Sequence, residues 1–131
     1  MRILSLDFGT KRIGIAISDP LGKYALPLEI VNKNDIINIL ERLIEQENIS
    51  RIIMGNPINM DGSESEIGKQ VLQFKRELEK KLKIPVILVD ERFSSMEAEK
   101  TLKCIGERHL RKKRDAISAC LILEKYLESE R

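Results

Sequence analysis

Acidic residues recur where strand-like runs end. Asp7 closes the apolar opening Arg2 to Asp7, Asp90 and Glu91 follow the apolar run Ile84 to Val89, and Asp115 heads an amphipathic stretch with Ala116, Ala119, Cys120, Leu123 and Leu127. In open α/β sheets ligands bind beyond the carboxyl ends of the strands, so these acids converge if their elements pack together. Clustered carboxylates repel one another, and their pKa values rise unless a cation relieves them. Hard oxygen donors of this kind suit Mg²⁺ or Mn²⁺, and such an ion can activate water and stabilise the leaving oxygen in phosphodiester hydrolysis. Adjacent residues of an extended chain face opposite sides, so Asp90 and Glu91 cannot both face one ion if the strand continues through them. Glu91 has the longer reach and lies just past the apolar run, which makes Asp7, Glu91 and Asp115 the expected metal-binding and catalytic set. Each acid also has an ordinary use: a turn at Asp7, a charged loop at Asp90-Glu91-Arg92, a helix N-cap at Asp115. Their expected shared location favours the metal.

Basic and small residues surround these acids. Gly9 and Gly14 bracket Thr10, Lys11 and Arg12, a glycine turn with one hydroxyl and two cations that suits a phosphate. The loop Gly55 to Gly62, with Asn59, follows another strand end and is expected to touch substrate, as is Arg92 beside Glu91. From Gly106 to Arg114 the bases Arg108, Arg111, Lys112, Lys113 and Arg114 meet one acid, Glu107. This local excess would attract a polyanion and position its backbone, through Arg111, Lys112, Lys113 and Arg114. Lys80, Lys81 and Lys83 lie at a helix end, where dipole compensation explains them. The only aromatic residues are Phe8, Phe74, Phe93, Tyr24 and Tyr126, too few for a base-stacking platform.

The elements that must position these residues are legible from periodicity. Arg2 to Asp7 and Ile13 to Ile17 read as a hairpin, and Ala25 to Val31 as a third strand that Pro27 assigns to an edge. Ile36, Ile39, Leu40, Leu43 and Ile44 have helical spacing, with Asn34 as the expected cap. Arg51 to Gly55 is a short buried strand. Ser63 to Glu66 is a capping box leading into a helix through Leu82, and Ser94 to Glu97 repeats that pattern before a helix to about Cys104. The last helix is expected from near Asp115 to Glu128. The order βββ-α-β-α-β-α-α implies an α/β fold: a mixed five-stranded sheet, with a three-strand antiparallel meander, parallel strands and helices on both faces.

The chain has 131 residues, 42% hydrophobic and 34% charged, with a formal net charge of +2, which fits one folded domain over residues 1–131 and excludes disorder. Cys104, Cys120 and the single His109 cannot make a standard structural zinc site, so free thiols in a reducing cytoplasm are expected. No apolar run reaches the length of a membrane span, and no signal peptide is expected.

The segment Arg2-Ile3-Leu4-Ser5-Leu6-Asp7-Phe8-Gly9-Thr10-Lys11-Arg12-Ile13-Gly14 resembles the first motif of the YqgF/RuvX family, resolvase-like nucleases of the RNase H superfamily. Three further stretches agree in order: Gly55 to Gly62 with Asn59-Met60-Asp61-Gly62, Asp90 to Ser95 with Glu97-Ala98-Glu99, and Asp115 to Ala119 with Ile122-Leu123. Asn56 stands where a Leu is more usual, Phe93 where an aliphatic is expected, and the segment before Asp115 is short. The resemblance implies an RNase H-like fold and metal-dependent phosphodiester cleavage in a cytoplasmic setting, with Asp7, Glu91 and Asp115 as catalytic acids. It also implies a nucleic-acid partner: ribosomal precursor RNA matured at the 5′ end of 16S rRNA, with the ribosome in view, or branched DNA cut as a Holliday junction. Two other classes compete. Asp7-Phe8-Gly9-Thr10 is similar to the phosphate loop of actin-like ATPases and sugar kinases, but those duplicate the fold and 131 residues supply one copy. A non-catalytic RNA-binding module would keep its role in an Asp7→Asn variant and lose it when the basic loop is neutralised. Oligomeric state is not legible in the sequence.

Overall fold

Alternating apolar residues and Gly-containing turns make residues 2–32 a meander. The computed structural model describes residues 2–56, 66–90 and 114–129. Strand β1 (Arg2–Asp7) pairs antiparallel with β2 (Arg12–Ser18), which pairs antiparallel with β3 (Ala25–Asn32). The Asp19 carboxylate accepts the backbone N–H groups of Lys23 and Tyr24, both at 2.7 Å, and closes the β2–β3 turn. Those donors, Tyr24 foremost, hold its carboxyl below the usual range.

A 3₁₀ turn (Lys33–Asp35) then leads into α1 (Ile36–Glu47). Asn34 is therefore not the cap of α1: Asp35 occupies that position, without a side-chain cap bond. The reason is the tight exit from β3, where the Lys33 N–H donates to the Lys11 carbonyl at 2.9 Å and the chain turns at once. Strand β4 (Ile49–Asn56), helix α2 (Glu66–Leu82), strand β5 (Val86–Asp90) and helix α3 (Arg114–Ser129) follow. The expected helix over 94–104, with Cys104 and His109, lies outside the described residues, as does the capping Ser63.

The sheet order is β3-β2-β1-β4-β5, with β1, β4 and β5 mutually parallel. This is the expected mixed five-stranded sheet, and Pro27 does lie on its edge strand, beside a bulge opposite Ile15 and Ala16. Helices cover both faces. Leu4, Leu6, Ile13, Ile15, Ile17, Ile52 and Met54 pack with Ile36 and Leu40 of α1 and with Val71, Phe74 and Leu78 of α2. Ala16, Ile53, Ile3, Ile87 and Val89 pack on the opposite face against Ala119, Cys120, Ile122, Leu123, Tyr126 and Leu127 of α3.

Cys120 is a buried free thiol in that second layer, and burial pushes its pKa up to about 12, with Glu124 adding to the effect. It should resist iodoacetamide at pH 8 in the native protein and react once denaturant exposes it, as mass spectrometry would show. The neutral thiol's contribution is complete below the ordinary pKa of 9.0 and is lost as pH climbs toward about 12.

Candidate active site

Small residues on one face of the sheet determine where α3 lies. On β1, Leu4 and Leu6 point to the α1/α2 core, so Ile3, Ser5 and Asp7 share the other face, and Ala16 of β2 lies on that face too. Small side chains let the helix approach closely enough for the buried Ser5 hydroxyl to donate to the Ala119 carbonyl at 2.8 Å. Ser5→Ala should lower unfolding stability by about 1 kcal/mol in a urea titration, since it removes one net hydrogen bond from the interface under α3.

A second contact sets the direction of α3. The Arg51 guanidinium donates to the Tyr126 hydroxyl at 2.6 Å, and Arg51 pairs with Ile3 near the amino end of β1. Tyr126 thus stands over the amino ends of β1 and β4, Ala119 over mid-strand, and the start of α3 toward the carboxyl end. Position 115 lies four residues before Ala119, or ~6 Å along the helix axis. Asp7 lies two residues beyond Ser5, or ~7 Å along the strand, in the same direction. The half-buried Asp7 and the first turn of α3 therefore arrive at one end of one face. Helix α3 begins at Arg114, so position 115 sits inside the first turn rather than before it.

Strand β5 ends at the same edge, its Asp90 paired with Asn56 of β4. Val86 and Leu88 face the α1/α2 layer while Ile87 and Val89 face the α3 layer. Glu91, Arg92, Asn59, Arg111, Lys112 and Lys113 lie outside the described residues, and of Arg114 and Asp115 only the backbone is described. Among the described residues no three His, Cys, Asp or Glu side chains come together. The donor chemistry nonetheless suits a hard divalent ion: Asp7 is a carboxylate at a strand end, facing the layer from which position 115 starts.

The β1–β2 turn carries the other described candidates. Gly9 is required there, because a methyl group on it would overlap the Arg12 carbonyl oxygen. Thr10, Lys11 and Arg12 are exposed on this turn and at the start of β2. Thr10 and Lys11 line a depression of about 500 Å³ together with Asn32, Lys33, Asn34 and Asp35. Lys33 has no signal in the sequence that singles it out. Its ammonium lies over the Phe8 ring at 5.1 Å and the Phe74 ring at 5.9 Å, two rings that pack 5.3 Å apart at a tilt of 49°.

A family model described as "RuvX: Holliday junction resolvase" matches residues 1–129. The chain belongs to the RuvX family. It is 39% identical to a protein of Maridesulfovibrio salexigens over 97% of this chain and 98% of that relative. It is 42% identical to one of Sulfurihydrogenibium sp. over 97% of this chain and 90% of that relative. Both bear the provisional name of pre-16S rRNA nuclease. Among solved structures, Thermus thermophilus RuvC matches with a TM-score of 0.61 at 12% identity, over 99% of this chain and 96% of that one. That likeness shows the fold, which is RNase H-like. No described helix is long and apolar enough to cross a membrane.

Proposed function

We propose that this RuvX-family nuclease cuts ribosomal precursor RNA at the 5′ side of 16S rRNA, using Asp7, Glu91 and Asp115 around Mg²⁺ or Mn²⁺. The supporting observation is the antiparallel course of α3, fastened by the Ser5–Ala119 and Arg51–Tyr126 contacts, which brings the helix start to the end of β1 where Asp7 faces it. A bound divalent ion would supply an activated water and a Lewis acid for the leaving oxygen. The chain's own part is to hold that ion: Asp7 from the central strand, Asp115 from the first turn of α3 and Glu91 from beyond β5. The choice of Glu91 over Asp90 is supported by the alternation of β5, in which residues 87 and 89 share the face of Asp7, and 91 would be next if the extended chain continued. Thr10, Lys11, Arg12, Asn59, Arg92 and the basic run Arg111 to Arg114 would bind substrate phosphates and carry no bond-breaking role.

The choice of RNA rests on the names of the relatives; the family description favours four-way DNA as the second reading. Incubating a 5′-extended 16S precursor RNA and a four-way DNA junction with the protein and Mg²⁺ or Mn²⁺, side by side, tests the proposal. Cleavage of the RNA at its 5′ extension is the expected result. Cleavage of the junction alone would replace it with the resolvase reading, and cleavage of neither would overturn it.

A further inference from the structure

We propose that the depression beside the β1–β2 turn is a phosphate-binding subsite, in which Lys33 and Lys11 grip the backbone of the nucleic-acid strand leading to Asp7. This rests on the nuclease reading above and adds to it a residue, Lys33, and a path for the strand.

The lining of the depression defines what it can hold. Lys11 and Lys33 supply ammonium groups, Thr10 a hydroxyl, and Asn32 and Asn34 amides, with Asp35 the single acid among the described residues that line it. No described apolar side chain lines it, so these residues offer no wall to a base, a sugar face or a hydrocarbon. Hydrogen-bond donors and a net positive lining select an oxyanion. A phosphodiester has the matching charge and acceptors, and it brings its base and ribose no further than the rim.

Lys33 differs from an ordinary surface lysine in being held. Its stem is half-buried, its backbone N–H is fixed by the Lys11 carbonyl, and its ammonium sits over two aromatic rings. The rings attract the charge without accepting its N–H groups in ordinary hydrogen bonds, and no described ion pair includes Lys33 or Lys11. The ammonium is therefore placed in advance and keeps its donors for a ligand, so less side-chain freedom is lost on binding.

The depression and Asp7 meet at one strand end from opposite faces of the sheet: Phe8 packs with the α1/α2 layer, whereas Asp7 faces the α3 layer. Phe8, the ring beneath Lys33, directly follows Asp7, and the carbonyl of Lys11 ties the start of the 3₁₀ turn to the β1–β2 turn. A strand gripped here therefore passes the carboxyl end of β1. The grip would be the same in ground and transition states, which makes Lys33 a positioning residue rather than a catalytic one.

Lys33→Met isolates the charge, because the thioether stem still covers Phe8 and Phe74. Binding of the precursor RNA and of the DNA junction would be followed by fluorescence anisotropy at several salt concentrations, without divalent ions so that nothing is cut. The slope of log affinity against log salt should fall by roughly 0.7 for single-stranded RNA and 0.9 for duplex, one phosphate contact. Lys33→Arg should restore the wild-type slope. In cleavage assays Lys33→Met should raise KM with kcat almost unchanged. A wild-type slope in Lys33→Met, with or without a loss of thermal stability, would overturn the subsite and leave the lysine a packing residue. Should the wild type bind without cutting either substrate while Lys33→Met still lowers the slope, the nuclease reading fails and the subsite stands. Cleavage by a Lys33→Met variant with unaltered slope and KM means the reverse: the nuclease reading stands and the subsite fails.

Discussion

Asp7→Asn is expected to reduce cleavage by about 10³-fold or more while the protein stays folded. Loss of a partner one layer away from a metal typically costs 10–100-fold, so loss of the carboxylate proposed as a direct ligand should exceed that range. The change is nearly isosteric and Asp7 is only half-buried, so α3 and its contact with Ser5 should persist. Calorimetric titration with Mn²⁺ should show strongly weakened binding in the variant, and its thermal unfolding should match the wild type. Equal Mn²⁺ affinity in the two proteins would remove Asp7 from the metal site. Retained biological role with lost metal binding would instead favour the RNA-binding module over the enzyme.

The second large effect separates two neighbours. Glu91→Gln should cut turnover by about 10²-fold or more, whereas Asp90→Asn should change it by less than about 10-fold. The physical basis is the pleat of β5: Val86 and Leu88 are on the α1/α2 side, Ile87 and Val89 on the α3 side. Positions 87 and 89 thus share the face of Asp7, and 91 would join them if the alternation continues. Single-turnover rates at saturating substrate, measured with Mg²⁺ for both variants, decide it. The reverse order would mean that the chain changes face at the end of β5 and that Asp90 is the ligand.

Local pattern carried much of the architecture. Arg2 to Asp7 was legible as a strand to the residue, and the final helix to within a residue at each end, because each pattern ends where its period breaks. Strand β4 runs further than its apolar centre suggests, from Ile49 to Asn56, since ladder bonds with β1 and β5 extend it. The cap of α1 was not legible. Asn34 has the right chemistry, but whether the chain enters the helix directly or through a 3₁₀ turn depends on Lys11, twenty-three positions earlier.

The sequence by itself determined which of the described segments are strands and which are helices, and that acids close β1 and β5, because hydrophobic period and turn chemistry are local properties. It also carried the expectation that Asp90 and Glu91 face opposite ways if the strand runs through both, since alternation in an extended chain needs no tertiary contact. Only the tertiary structure decided that β1 lies between β2 and β4, that α3 runs antiparallel to β1, and that Lys33 rests on Phe8 and Phe74 beside the same strand end. Each of these depends on groups far apart in the chain: Ser5 with Ala119, Arg51 with Tyr126, Lys33 with Phe74. Such pairings follow from close packing across the sheet, where small residues under α3 permit a backbone approach that no single segment specifies.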